Sequence, residues 1–158
     1  MAAPNGAARA SAGPKVCLVT DTGGLNDRSF NHLAYLGLQR AKSSLGAAVS
    51  VKQSTKTSDY VPNLQNCAAS GANLVIAVGF LMENQVGQVA KQFSNVHFAI
   101  IDDSVNSKGI GGLKNVQGLL FKEQESGYLA GYLAGLMEKK GGARLNSQNV
   151  MSTVGGLS

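Results

Sequence analysis

Val16-Cys17-Leu18-Val19-Thr20-Asp21-Thr22-Gly23-Gly24-Leu25-Asn26-Asp27-Arg28-Ser29-Phe30-Asn31 is the stretch that decides the fold. An apolar run of strand length ends on a carboxylate, turns through a glycine pair and opens a helix. In an open parallel sheet, ligands sit beyond the carboxyl end of such a strand, over the helix N-terminus. Asp21 is the first carboxylate past the strand. Asn26 or Asp27 can cap the helix by accepting from its free first-turn N–H groups. Gly23 and Gly24 allow backbone angles that bring a loop close to a ligand. The spacing is not the dinucleotide fingerprint, because a polar Asn-Asp-Arg-Ser run stands where a third glycine belongs.

Outward from this stretch, strand and helix patterns alternate. Lys15–Thr20 reads as a strand buried on both faces. Phe30, Leu33, Ala34, Gly37, Leu38, Ala41 and Leu45 give the stripe of a helix over 27–45, stopped by Gly46. Ala47–Gln53 reads as the second strand. Asp59 is expected to cap a second helix, with Pro62 in its first turn and Gly71 at its end. Asn73–Val78, closed by Gly79, is the third strand; Glu83–Phe93 is a helix; His97–Ile101 is a strand ending on Asp102. A polar, Gly-rich loop over 104–114 leads to a short strand within 115–121. Lys122–Lys140 is the longest helix, and its Gly127, Gly131 and Gly135 stripe predicts close packing. Asn149–Val154 reads as a final strand. This order predicts an α/β fold, a parallel sheet with helices on both faces and right-handed crossovers.

Four stretches resemble one family in order and spacing. They are Asp21-Thr22-Gly23-Gly24-Leu25-Asn26-Asp27-Arg28-Ser29-Phe30-Asn31, Val75–Phe80, Phe98–Asp102, and Gly127-Tyr128-Leu129-Ala130-Gly131 with Val154-Gly155-Gly156. The chain from Lys15 to its last residue resembles the basic-membrane-protein family of substrate-binding proteins, which includes purine-nucleoside receptors of ABC importers. The resemblance implies a periplasmic-binding-protein type I lobe with strand order 2-1-3-4-5 and a crevice at the ends of strands one, three and four. Residues 15–158 are then the N-terminal lobe of a two-lobed protein, the second lobe lying beyond Val154-Gly155-Gly156. Residues 1–14 read as a disordered terminus or the remnant of a signal peptide. One lobe covers about half of a ligand's surface, so nucleoside affinity of these residues alone is expected to be millimolar or weaker.

The same resemblance assigns a ligand set. The carboxylate matching Asp21 receives a base edge, and the one matching Asp102 receives ribose hydroxyls. The aromatic matching Phe30 stacks on a purine ring, although Phe30 also fits a plain core position. Asn26 and Asn31 are neighbours that can read base edges, and Gly79 and Phe80 form the crevice floor. The expected partners are a nucleoside-like molecule, an ABC transporter permease and the second lobe, with an extracytoplasmic location and no cofactor. Riboflavin, a sugar or a signal molecule fits the sequence as well as a purine nucleoside does.

Composition narrows the alternatives. Hydrophobic residues make up 44% and charged residues 15% of 158 residues, a globular balance. The net charge of +5 is spread along the chain, without the basic, aromatic-interleaved stripe that nucleic acid requires. His32 and His97 fall at opposite ends of the fold and predict no metal site. Asp21 with Asp102 can be read as a general acid and base, which keeps a small Rossmann-like enzyme open beside the ligand-sensing lobe of a regulator. The binding protein is preferred because no nucleophile–base pair or phosphate loop is visible. Cys17 and Cys67 fall at one end of the sheet: export favours a bridge between them, and two separate buried thiols are the alternative.

Overall fold

The computed structural model describes residues 13–106 and 110–141. The N-terminal stretch 1–12, the strand expected at 149–154 and Val154-Gly155-Gly156 lie outside the described residues. The elements in chain order are β1 (Lys15–Val19), α1 (Phe30–Leu45), β2 (Ala48–Lys52), α2 (Tyr60–Ala69), β3 (Leu74–Val78), α3 (Glu83–Gln92), β4 (His97–Ile101), β5 (Val116–Leu119) and α4 (Glu123–Lys140). Short 3-10 turns at Thr57–Asp59 and Phe80–Met82 lead into α2 and α3. The five strands form one sheet in the order β2-β1-β3-β4-β5, every neighbouring pair parallel. Two compact units divide the chain at Leu120.

In the first unit the two sheet faces differ. Cys17 stands beside Val75, Val75 beside Phe98 and Phe98 beside Val116, so these side chains share the face that meets α2 and α3. All of them are buried, together with Tyr60, Leu64, Val86 and Val89. Each such side chain contributes about 1.5–3 kcal/mol when removed from water, and this layer is the main core. On the other face α1 lies over β1. There Ala34, Leu38, Leu74, Ile76, Ile101 and Leu119 line a cavity of about 370 Å³, and Leu119 is 41% exposed.

The helix starts are shifted from their expected places. α1 begins at Phe30 rather than Asp27 because Arg28 adopts φ 55° and the chain turns back on itself there. Its inward face is rotated as well. Asn31 and Leu38 are buried, whereas Phe30, Leu33 and Leu45 of the expected stripe are exposed. Asp59 stands at the N-cap of α2, but its side chain makes no capping hydrogen bond to that helix. Its Oδ2 accepts from the Thr55 N–H at 2.9 Å, the Thr55 hydroxyl at 2.9 Å and the Lys56 N–H at 3.2 Å, and so fixes the approach to the helix.

Cys17 and Cys67 are joined, with their Cα atoms 5.7 Å apart. The bridge lies at mid-sheet rather than at the bottom, because β1 starts at Lys15 and Cys17 is its middle residue. It ties β1 to α2 across the main core. Residues 121–158 form the second unit, in which α4 is the described element. Gly127, Gly131 and Gly135 fall on it, and Tyr128 stacks on Tyr132 with ring centroids 6.2 Å apart.

Candidate functional site

Parallel pairing brings the carboxyl ends of β1, β3 and β4 to one edge. The Gly79 N–H bonds to the Ile101 carbonyl at 3.1 Å, which sets the loop after β3 beside the loop after β4. Asp21, Gly79 and Asp102 therefore stand on three adjacent loops. Backbone strain gathers on this edge too. The described non-glycine residues with positive φ are Arg28 at 55°, Asp102 at 67° and Val105 at 53°, and Gly24 and Gly79 join them at 66° and 99°. Such conformations cost on the order of 1–3 kcal/mol for non-glycine residues and cluster where loops serve a ligand.

Asp21 is held on one side only. Its Oδ1 accepts from the Gly23 N–H at 2.8 Å and from Asn31 Nδ2 at 2.6 Å. Asn31 Oδ1 in turn accepts from the Asp21 N–H at 3.2 Å. The other carboxylate oxygen, Oδ2, lies over Gly79, where an added Cβ would approach it to 3.2 Å. Glycine at 79 thus serves two needs: a left-handed turn, and an open approach to that oxygen.

Asp27 organises the helix start behind this carboxylate. Its Oδ1 accepts from the N–H groups of Ser29 at 2.9 Å and His32 at 3.0 Å. Its Oδ2 accepts from Asn31 N at 2.9 Å and Asn31 Nδ2 at 3.0 Å. Burial raises the pKa of this carboxyl, but the three backbone N–H groups and the Asn31 amide outweigh burial and hold it below the usual carboxylate range. Of the two expected caps, Asp27 does the work and Asn26 is left exposed.

The remaining expected residues are placed as follows. Phe30 is 42% exposed at the start of α1, so it is not enclosed in the core. Phe80 is half-buried in the turn before α3. Asp102 donates its N–H to the Leu119 carbonyl at 2.9 Å. Asn31 is 1% exposed, and both its carboxamide protons and its oxygen are engaged with Asp21 and Asp27.

Two acids escaped the sequence reading. Asp103 is buried and accepts from the Val105 N–H at 2.8 Å. Glu83, the first residue of α3, has an enclosed Oε1 without a hydrogen-bond partner. Burial first, and the Asp103 charge second, push its carboxyl above the usual range. The adjacent pair Asp102-Asp103 after an apolar strand was the available signal for the first. Nothing in the pattern around Met82-Glu83 marked the second. No group of three or more His, Cys, Asp or Glu suited to a metal occurs among the described residues.

Comparison with known proteins decides the family. Residues 15–153 match the family model described as ABC transporter substrate-binding protein PnrA-like. The chain belongs to this family. An uncharacterized lipoprotein of Pyrococcus furiosus is 38% identical over 130 residues, covering 81% of this chain and 32% of that protein. The ABC transporter nucleoside-binding protein BmpA of Lactococcus lactis is 32% identical over 147 residues, covering 90% of this chain and 38% of that protein. A crystal structure of ABC transporter system solute-binding proteins from Aeropyrum pernix superposes with TM-score 0.68 at 32% identity, over 77% of this chain and 32% of that one. The chain spans about a third of the length of these relatives. The strand order β2-β1-β3-β4-β5 is the one the resemblance implied. No helix among the described residues is long and apolar enough to cross a membrane.

Proposed function

We propose that this PnrA-like chain is the N-terminal ligand-binding lobe of an extracytoplasmic substrate-binding protein that hands a nucleoside-like molecule to an ABC importer. The observation that carries this reading is the Asp21 carboxylate, fixed on one side and open over Gly79 on the other. A half-exposed aromatic, Phe30, stands on the helix that Asp21 precedes. An oriented acceptor and an exposed aromatic ring on the following helix suit the N–H edge and ring of a nucleobase. Asp102, on the neighbouring loop, suits sugar hydroxyls. Asn26 and Phe80 complete the rim. The nucleoside assignment draws further support from the Lactococcus lactis relative, which is named as nucleoside-binding. Capture and release need no covalent step. The second lobe and the permease are the partners this role requires, and relatives about three times as long leave room for that lobe.

Titration of the isotope-labelled chain with adenosine and inosine, followed by amide NMR, tests the reading. Shifts should gather at residues 21–24, at Gly79 and Phe80 and at Asp102. Asp21→Ala should weaken binding about ten- to a hundred-fold, the worth of a hydrogen bond to a charged group. Unlocalised shifts in the wild type, or equal affinity in the variant, would overturn it.

A further inference from the structure

Asn31 is the residue whose place the proposed binding role leaves unexplained. A polar side chain at 1% exposure on the inward face of α1 is costly to bury unless its groups are paired. Here one carboxamide proton goes to Asp21 Oδ1 at 2.6 Å, the other to Asp27 Oδ2 at 3.0 Å, and the oxygen receives the Asp21 N–H at 3.2 Å. Asp27 is itself locked to three backbone N–H groups. The chain of contacts runs from the helix backbone through Asp27 and Asn31 to a single oxygen of Asp21. With the Gly23 N–H on that same oxygen at 2.8 Å, rotation of the carboxylate would break two bonds at once.

We infer that Asn31 is a positioning residue that commits Oδ1 of Asp21 and presents Oδ2 alone to the ligand. The inference rests on the binding role proposed for Asp21 and adds a selectivity to it. A carboxylate free to turn can receive paired donors side by side, as from a guanidinium group. One whose first oxygen is already filled by two donors accepts from a single N–H or O–H over Gly79. The site then rewards a neutral ligand carrying one well-placed donor, such as an exocyclic amine on a flat heterocycle, and discriminates against the analogue that lacks it.

The probe pair is adenosine and purine riboside, which differ by the exocyclic amino group. The wild-type chain should prefer adenosine about tenfold, one charge-assisted hydrogen bond. Asn31→Ala should lower that preference to about twofold while both nucleosides still bind, and Asp21→Asn should lower it as far. A variant that merely loosened packing would weaken both ligands equally and leave the ratio intact; that result, in a protein whose amide spectrum remains folded, overturns the inference. A second measurement needs neither ligand nor variant. The carboxamide protons of Asn31 should exchange slowly with water and resonate apart from those of exposed side-chain amides, and fast exchange equally overturns it. If the wild type fails to bind adenosine, the nucleoside role falls and the selectivity with it, while the exchange measurement still decides whether Asn31 holds Asp21.

Discussion

Reducing the Cys17–Cys67 bridge should lower the unfolding free energy by about 4 kcal/mol, the chain-entropy value for a loop of this length. The bridge closes a separation of 50 residues, and the unfolded chain regains that freedom when it opens. The folded state has little slack with which to compensate. Cys17 is 1% and Cys67 0% exposed, in the same buried cluster as Leu64 and Val75. Two thiols left there would still pack as small hydrophobes, so the fold should survive with lower stability. Urea denaturation with and without reductant measures the difference, and Cys17→Ala with Cys67→Ala should reproduce the reduced value. A midpoint unchanged by reductant would show that the bridge contributes nothing.

Asp27→Ala should cost about 3 kcal/mol, more than an ordinary helix cap. Loss of a cap accounts for about 1–2 kcal/mol, and the substitution also strands a buried Asn31 proton. Asp27→Asn keeps the shape and one acceptor and should cost less. The pH dependence has a definite sign. The Asp27 carboxyl is held below its ordinary range, so its contribution is present above the unfolded pKa and is lost as pH falls through the folded one. Glu83 runs the other way. Its carboxyl is raised, so its contribution is complete below the unfolded pKa and fades as pH rises through the folded value. Thermal melts from acid to neutral pH should show Asp27→Ala flattening the acid limb and Glu83→Gln flattening the other. A wild-type profile identical to that of both variants would contradict the two assignments.

The fold was legible because its strands are short apolar runs and its helices carry i, i+3, i+4 stripes, and these survive without tertiary information. Sheet order was not legible from periodicity. Nothing in Val75–Val78 says that it pairs with β1 rather than β2; that came from the family motifs. At the site, the Asp21 and Gly79 positions followed from strand ends. The role of Asn31 did not, because polar type suggested an outward residue while helical spacing suggested the opposite. Asn31, Ala34 and Leu38 fall three and seven residues apart on one face, and that spacing was the signal that placed the asparagine inward. The start of α1 was misjudged because a carboxylate that folds back onto three N–H groups makes residues 27–29 resemble a first helical turn in sequence.

All-parallel pairing also governs the order in which the molecule can assemble. No described strand lies against a neighbour reached by a tight turn: Phe98 meets Val116 across a loop, Leu74 meets His97 across α3, and Val16 meets Leu74 only after β2 and α2 have intervened. Closing the longer loops costs more chain entropy before any contact repays it. The β3-β4-β5 half should therefore gather first and β1 dock onto it last, with cysteine pairing waiting for that docking. Pulse-labelled hydrogen exchange during refolding of the reduced chain should protect the Ile76 and Ile100 amides ahead of Leu18; simultaneous protection would mean that the sheet condenses as one unit. A chain emerging from the N-terminus makes β1 and its neighbour β2 early but joins β1 to β3 late, so the β3-facing edge of β1 spends the interval uncovered.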